Sequence, residues 1–165
     1  TRWPQAAPIT PRALLCHHAG LPTYLLKGFF SDRSLTGLLH ELRDEHLAFE
    51  PHTLFNYSNL GYNLLGLAVE RVAGRPYAEA MQQQLLAPLG MRHTSWRDDF
   101  TRIVPGRAQA YAWTSGGWRL EMPNEDVYGN SSLLTTVGDL LIWSANAATH
   151  RIGGEIARSG ARGWR

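Results

Sequence analysis

The chain of 165 residues contains a single cysteine, Cys16, and a single lysine, Lys27. One cysteine excludes an internal disulfide and leaves the redox compartment unread. Arginine supplies the other 15 cations. These are scattered, with no run or stripe of the kind a polyanion requires, so the net charge of +2 does not point to a nucleic-acid partner. The skew toward arginine reads as codon usage in a GC-rich genome rather than recognition chemistry. No apolar run approaches the roughly 18 residues of a membrane span. The chain opens TRWPQAAPIT, without an initiating methionine or the basic and apolar regions of a signal peptide, and is therefore expected to start inside a larger protein. No repeat, low-complexity tract or linker divides it, and 44% hydrophobic content suffices for one domain with a real core.

What is present is mostly helical, with clear punctuation. Thr10 followed by Pro11 predicts an N-cap and a first helical proline, with Gly20 and Pro22 ending that helix after about two turns. From Ser34 to about His46, Leu35, Leu38, Leu39 and Leu42 share one face of an amphipathic helix. The stretch FNYSNLGYNLLG opens another, in which Leu60, Leu64, Ala68 and Val72 follow a four-residue step and Gly61 and Gly66 permit close approach of a neighbour. Gly74 is its C′ residue. Pro76 restarts a helix through YAEAMQQQLL, closed at Pro88-Leu89-Gly90-Met91. AQAYAWTSGGWRLE reads as a β-hairpin around Ser115-Gly116-Gly117. Thr136 to Asp139 reads as the acidic form of a capping box opening a last helix. Beyond it HRIGGEIARSGARGWR lacks an apolar period, so residues 151–165 are expected to be a mobile tail.

Four stretches carry a family likeness: ITPRALLCHHAGLP, FNYSNLGYNLLGLAVERVAGRPY, LLAPLGMRHT and GNSSLLTTVGDLLIW. In their order and spacing the chain resembles the β-lactamase-related serine hydrolases, which join class C β-lactamases, D-alanyl-D-alanine carboxypeptidases and several esterases and are penicillin-binding-protein-like. The resemblance implies a single partial domain over residues 1–165, mostly α with a small β-hairpin: the helical middle of the α/β β-lactamase/transpeptidase-like fold, with most of the sheet missing. Two positions depart from the family pattern. Pro51-His52 stands where Pro-Gly is usual, so a positive-φ position would fall on a residue that tolerates it less well, and Ser131-Ser132 replaces paired glycines.

A larger departure is an absence. The family's nucleophile lies in a Ser-x-x-Lys motif upstream of these blocks and its third motif, Lys-Thr-Gly or His-x-Gly, on a downstream strand. Neither is here, because the residue three before Lys27 is Tyr24 and His18-Ala19-Gly20 lies inside the first block instead. The resemblance implies that Tyr57 faces the nucleophilic serine as part of its base machinery and that Asn59 binds the substrate's amide and steadies the lysine. Residues two apart in an extended chain point the same way, so Ser58 faces away and is a candidate cap. A phenol titrates near pH 10, and using it as a base at neutrality takes a shift of about three units, roughly 4 kcal/mol. One ammonium about 4 Å away supplies about that much at an effective dielectric of about 20. Arginine does not replace it as a proton shuttle, since the guanidinium stays charged.

Plainer readings compete. Tyr57 and Asn59 also fit a buried phenol and a helix cap. His17 and His18 beside Cys16 suggest metal only superficially, as adjacent helical residues point apart. Trp113, Trp118 and Trp143 fit a core better than a cleft. The expectation is therefore part of a serine hydrolase that acts on an amide or ester bond of a small molecule or peptide. Neither metal nor organic cofactor is implied, and the chain itself lacks the nucleophile. An extracytoplasmic, periplasmic or secreted setting is what the resemblance suggests. The rival is a non-catalytic helical binding module or a pseudoenzyme of the same fold.

Overall fold

The computed structural model describes residues 9–23, 42, 46–99, 101–121 and 129–154. In chain order these form α1 (Pro11–Leu15), α2 (Asn59–Ala73), α3 (Tyr77–Met81), a wide π-helical turn (Gln82–Leu86), α4 (Ala87–Leu89), β1 (Ser95–Trp96), β2 (Tyr111–Thr114), β3 (Gly117–Leu120), β4 (Leu133–Leu134) and α5 (Val137–Thr149). Two compact units result, one drawn from Thr1–Val69 and Arg97–Ser132, the other from Glu70–Trp96 and Leu133–Arg165. Among the described residues no helix is long and apolar enough to cross a membrane.

In the first unit, Thr10 caps α1 as expected, its hydroxyl accepting from Ala13 N–H at 3.1 Å, with Pro11 next. The helix stops sooner than Gly20. His17 turns left-handed (φ 59°), its N–H donating to Leu14 O at 3.2 Å and the His18 N–H to Ala13 O at 2.8 Å. That pairing is the Schellman ending, and it satisfies the last carbonyls at a position glycine usually takes. Gly20 (φ 75°) is required for a different reason, since a Cβ there would overlap the Phe49 carbonyl oxygen. Ala13, Leu14, Ala19, Leu21, Leu42 and Leu60 form the core of this unit. Each fully buried leucine contributes about 1.5–3 kcal/mol relative to exposure. Of the helix expected over residues 34–46, only Leu42 and His46 are described, and Leu42 is buried in that core.

Helix α2 buries Leu60, Gly61, Asn63, Gly66 and Leu67, while Ala68 and Val72 are exposed. The four-residue row expected from sequence leaves the buried face because each step of four overshoots a turn by about 40°. Gly61 lies against Leu14, whose Cδ2 would be 3.6 Å from an added Cβ. Gly74 follows the helix with φ 66°. The hairpin is as read, with Thr114 opposite Gly117 and Tyr111 opposite Leu120. Trp113 and Trp118 pair across it edge to face at 5.4 Å and are exposed, as is Trp143, so they lie outside the cores formed by the described residues. The left-handed position anticipated at His52 is real, at φ 70°, and Ser132 is left-handed as well, at φ 69°.

In the second unit the helix after Pro76 does not close before Pro88. It widens to i→i+5 bonding over Gln82–Leu86 and continues through Leu89. Pro88 has no N–H to give and its ring crowds the carbonyl four residues back, and the wider turn relieves both. Gly90 (φ 82°) then ends it, with Met91 N–H donating to Leu86 O at 3.0 Å. Leu86, Leu89 and Met91 form this unit's core, with Trp96, Ile142 and Ile152 packed against it. Strands β1 and β4 pair antiparallel, Ser95 opposite Leu134. Thr136 caps α5 by accepting from Asp139 N–H at 3.3 Å. The reciprocal half of the capping box is absent. The buried Asp139 carboxylate accepts from His93 N–H at 2.8 Å and Thr94 Oγ1 at 2.7 Å instead. The tail expected over 151–165 lies, from residue 155 onward, outside the described residues.

Candidate active site

The stretch 55–58 has no helical partners of its own, so its backbone groups must be satisfied elsewhere. Three of them are satisfied by the segment that follows α1. Asn56 N–H donates to His17 O at 2.9 Å and its Nδ2 to Leu21 O at 2.9 Å. The Tyr57 carbonyl accepts from Thr23 Oγ1 at 2.8 Å. Ser58 N–H donates to His17 Nδ1 at 3.1 Å, and Ser58 Oγ donates to Pro22 O at 2.7 Å. Ser58 Oγ also accepts from Gly61 N–H at 3.1 Å and so caps α2. The cap is therefore Ser58 and not Asn59.

Burial alternates through the motif: Tyr57 is 55% exposed, Ser58 4% exposed and Asn59 half-buried. Ser58 is turned inward and Tyr57 outward, as neighbours in an extended chain are, and α2 begins at Asn59. In this chain the Tyr57 phenol is not buried. Aromatic rings gather around His17: Tyr57 at 4.7 Å, Tyr62 at 5.2 Å and Phe55 at 5.7 Å between centroids. Tyr62 lies on α2 and donates its hydroxyl to Leu15 O at 3.1 Å, which fastens the end of α1 to the first turn of α2. Gly129 (φ 107°) comes so close to α2 that a Cβ would stand 2.5 Å from Tyr62 O.

Sequence reasoning singled out Tyr57 and Asn59, weighed His17 only as a metal ligand and passed over Thr23, yet His17 and Thr23 hold the backbone between them. Only the short gap between a helix end and Gly20-Leu21-Pro22 hinted at this, because hydrogen bonds that join residues 34 to 41 positions apart leave no local pattern. Among the described residues no three His, Cys, Asp or Glu side chains gather as a metal site would need.

Comparison with known proteins places this geometry. The β-lactamase family model matches residues 1–165. The chain is 33% identical over 110 residues to a probable hydrolase of a Phoma species, covering 67% of this chain and 18% of that protein. It is 33% identical over 123 residues to a penicillin-binding protein of Bacillus subtilis, covering 68% and 27% respectively. The chain thus spans between 18% and 27% of the length of these curated relatives. Among solved structures, a penicillin-binding protein from Bacillus halodurans superposes with a TM-score of 0.74 at 24% identity, over 88% of this chain and 50% of that one. A D-amino acid amidase from Ochrobactrum anthropi gives 0.70 at 25% identity, over 90% and 46%. The fold is β-lactamase/transpeptidase-like, and the chain belongs to the β-lactamase family.

Proposed function

We propose that the full-length protein is a serine hydrolase that opens an amide or ester bond of a small molecule or peptide through an acyl-enzyme, and that this chain contributes Tyr57 and Asn59 to its site. The observation that carries the reading is the Tyr57-Ser58-Asn59 arrangement: Ser58 is spent on capping and tethering, while the exposed phenol and the half-buried carboxamide two residues on take no hydrogen-bond partner among the described residues. Tyr57 would take the proton of the attacking serine, and Asn59 would hold the substrate's amide. Membership of the β-lactamase family supports the reaction class, and hydrolase and amidase relatives support an acyl substrate.

The chain itself is the helical middle of the fold in this proposal. Its described strands form only two two-stranded sheets, and its sequence contains no Ser-x-x-Lys. The nucleophile and the oxyanion-hole donors would come from other segments of the full-length protein, and the chain alone would be inactive.

The test is to treat the full-length protein with a fluorophosphonate and measure intact mass, then to assay Tyr57→Phe. One adduct, on a serine outside these residues, is expected, and Tyr57→Phe should lower turnover by about 10² to 10⁴ while the fold survives. No adduct and no turnover would leave a non-catalytic binding protein. A properly folded Tyr57→Phe protein with unchanged turnover would remove Tyr57 from the site.

A further inference from the structure

We propose that His17 is a positioning residue for Tyr57: its imidazole completes the cap of α2 from another part of the chain and thereby fixes the direction of the phenol. In a capping box the N-cap hydroxyl accepts from the N–H three residues on, and the side chain at that third position reaches back to the N-cap's own N–H. The first half is present, from Gly61 N–H to Ser58 Oγ at 3.1 Å. The second half cannot be, because the third residue is Gly61 and has no side chain. His17 Nδ1 takes the vacant acceptor role, at 3.1 Å from Ser58 N.

The consequence falls on one peptide plane. The Tyr57–Ser58 peptide offers a carbonyl on one edge and an N–H on the other. Thr23 Oγ1 holds the carbonyl at 2.8 Å, and His17 holds the N–H. Both edges of the plane are pinned, so the peptide plane that follows the Tyr57 Cα, and with it the direction of the phenol, is held in one orientation. The same imidazole lies 4.7 Å from the Tyr57 ring, tilted by 41°. Because the donor is a backbone N–H, Nδ1 must present its lone pair, and the ring proton of a neutral imidazole then sits on Nε2. His17 is itself fixed by its left-handed backbone (φ 59°), by its N–H to Leu14 O and by its carbonyl, which accepts from Asn56 N–H at 2.9 Å. A residue that glycine would serve better on backbone grounds alone is explained by the acceptor it carries.

The catalytic part of this inference rests on the proposed function; the hydrogen bond does not. The experiment uses the full-length protein with p-nitrophenyl acetate, and three variants. His17→Gly suits the left-handed backbone but removes the acceptor. His17→Asn tolerates the same backbone and carries Oδ1 the same number of bonds from Cα as Nδ1. Tyr57→Phe reports on the catalytic reading alone. His17→Gly should lower kcat by about tenfold or more, since small misplacements of a reacting group are costly, with KM within about threefold of wild type. His17→Asn should recover most of the loss. Exchange of the Ser58 amide should accelerate in His17→Gly and stay slow in His17→Asn. Wild-type protein uniformly labelled with ¹⁵N should show a coupling across the hydrogen bond from Ser58 N to His17 Nδ1, a readout that needs no variant to fold.

A missing coupling with Nδ1 protonated, unchanged Ser58 exchange in His17→Gly, or an asparagine variant as impaired as the glycine one would each overturn the proposal. If Tyr57→Phe keeps full kcat while the coupling and exchange results hold, the failure belongs to the catalytic reading of Tyr57 and not to the His17 bond.

Discussion

The hydroxyl of Ser58 donates to the carbonyl of Pro22 at 2.7 Å, joining the start of α2 to a loop 36 residues earlier. The same oxygen accepts from Gly61 N–H, so one side chain both caps a helix and sets where that helix begins in space. Ser58→Ala removes the cap and leaves a part-buried carbonyl unpaired, which should cost about 1–2 kcal/mol. Chemical denaturation of the two proteins checks it, and equal midpoints and slopes would show that water replaces the hydroxyl without loss.

Gly20 gives a sharper test of the same loop. Its φ of 75° and the Phe49 carbonyl oxygen pressed against its Cα leave no place for a methyl group. A left-handed alanine costs about 1–2 kcal/mol before any clash is counted. The overlap must then push apart the strand of chain whose Ala48 N–H bonds Gly20 O at 2.8 Å. Gly20→Ala should therefore destabilise by more than about 2 kcal/mol and lower the yield of folded protein. Wild-type thermal stability in this variant would mean that residues 47–49 move aside freely.

Much of this was legible in the sequence where the cause is local. The Thr10-Pro11 start, the hairpin at Ser115-Gly116 and the Thr136 cap rest on residue types within three or four positions of one another, and each formed as read. The φ > 0 backbone at His52 was likewise visible, as a substitution in a pattern that usually carries glycine. What misled was longer in range. α1 ends at Leu15, the left-handed His17 follows it, and His18 O accepts from His52 N–H at 2.7 Å, so Gly20 marks a close approach and not a helix end. Asp139 fitted a capping box by spacing, yet two donors at His93 and Thr94 outcompeted the cap's own N–H. At the candidate site, the side chains to consider were readable and the backbone holding them was not.

Tyr77 links burial to pH. It packs edge to face on Trp96 at 5.3 Å, and burial pushes its phenol above the ordinary value. The sign follows from which state loses the proton first. The unfolded chain ionises near pH 10 while the folded one stays neutral, so Tyr77's contribution is complete below about pH 10 and is lost as pH rises through the higher folded value. Melting temperatures should fall more steeply above about pH 10 in wild type than in Tyr77→Phe. Parallel alkaline limbs in the two proteins would show that the phenol ionises in place without unfolding.

The last expectation concerns apolar surface. α5 leaves Val137 76% and Leu141 67% exposed, and the hairpin does the same with Trp113 at 68% and Trp118 at 70%. These are large side chains on contiguous faces of single elements, not isolated surface residues, and such faces are usually covered. At about 25 cal/mol per Å², a few hundred Å² left wet forgoes several kcal/mol, comparable to the whole stability of an ordinary domain. The 165 residues expressed alone should therefore bind the dye ANS, aggregate as concentration rises and unfold over a broad range. Longer versions that include the flanking segments of the same gene should lose dye binding and gain a cooperative transition if those segments cover the faces. A sharp, reversible, monomeric transition of the short chain without dye binding would show that it is self-sufficient, and would favour a binding module over part of a hydrolase.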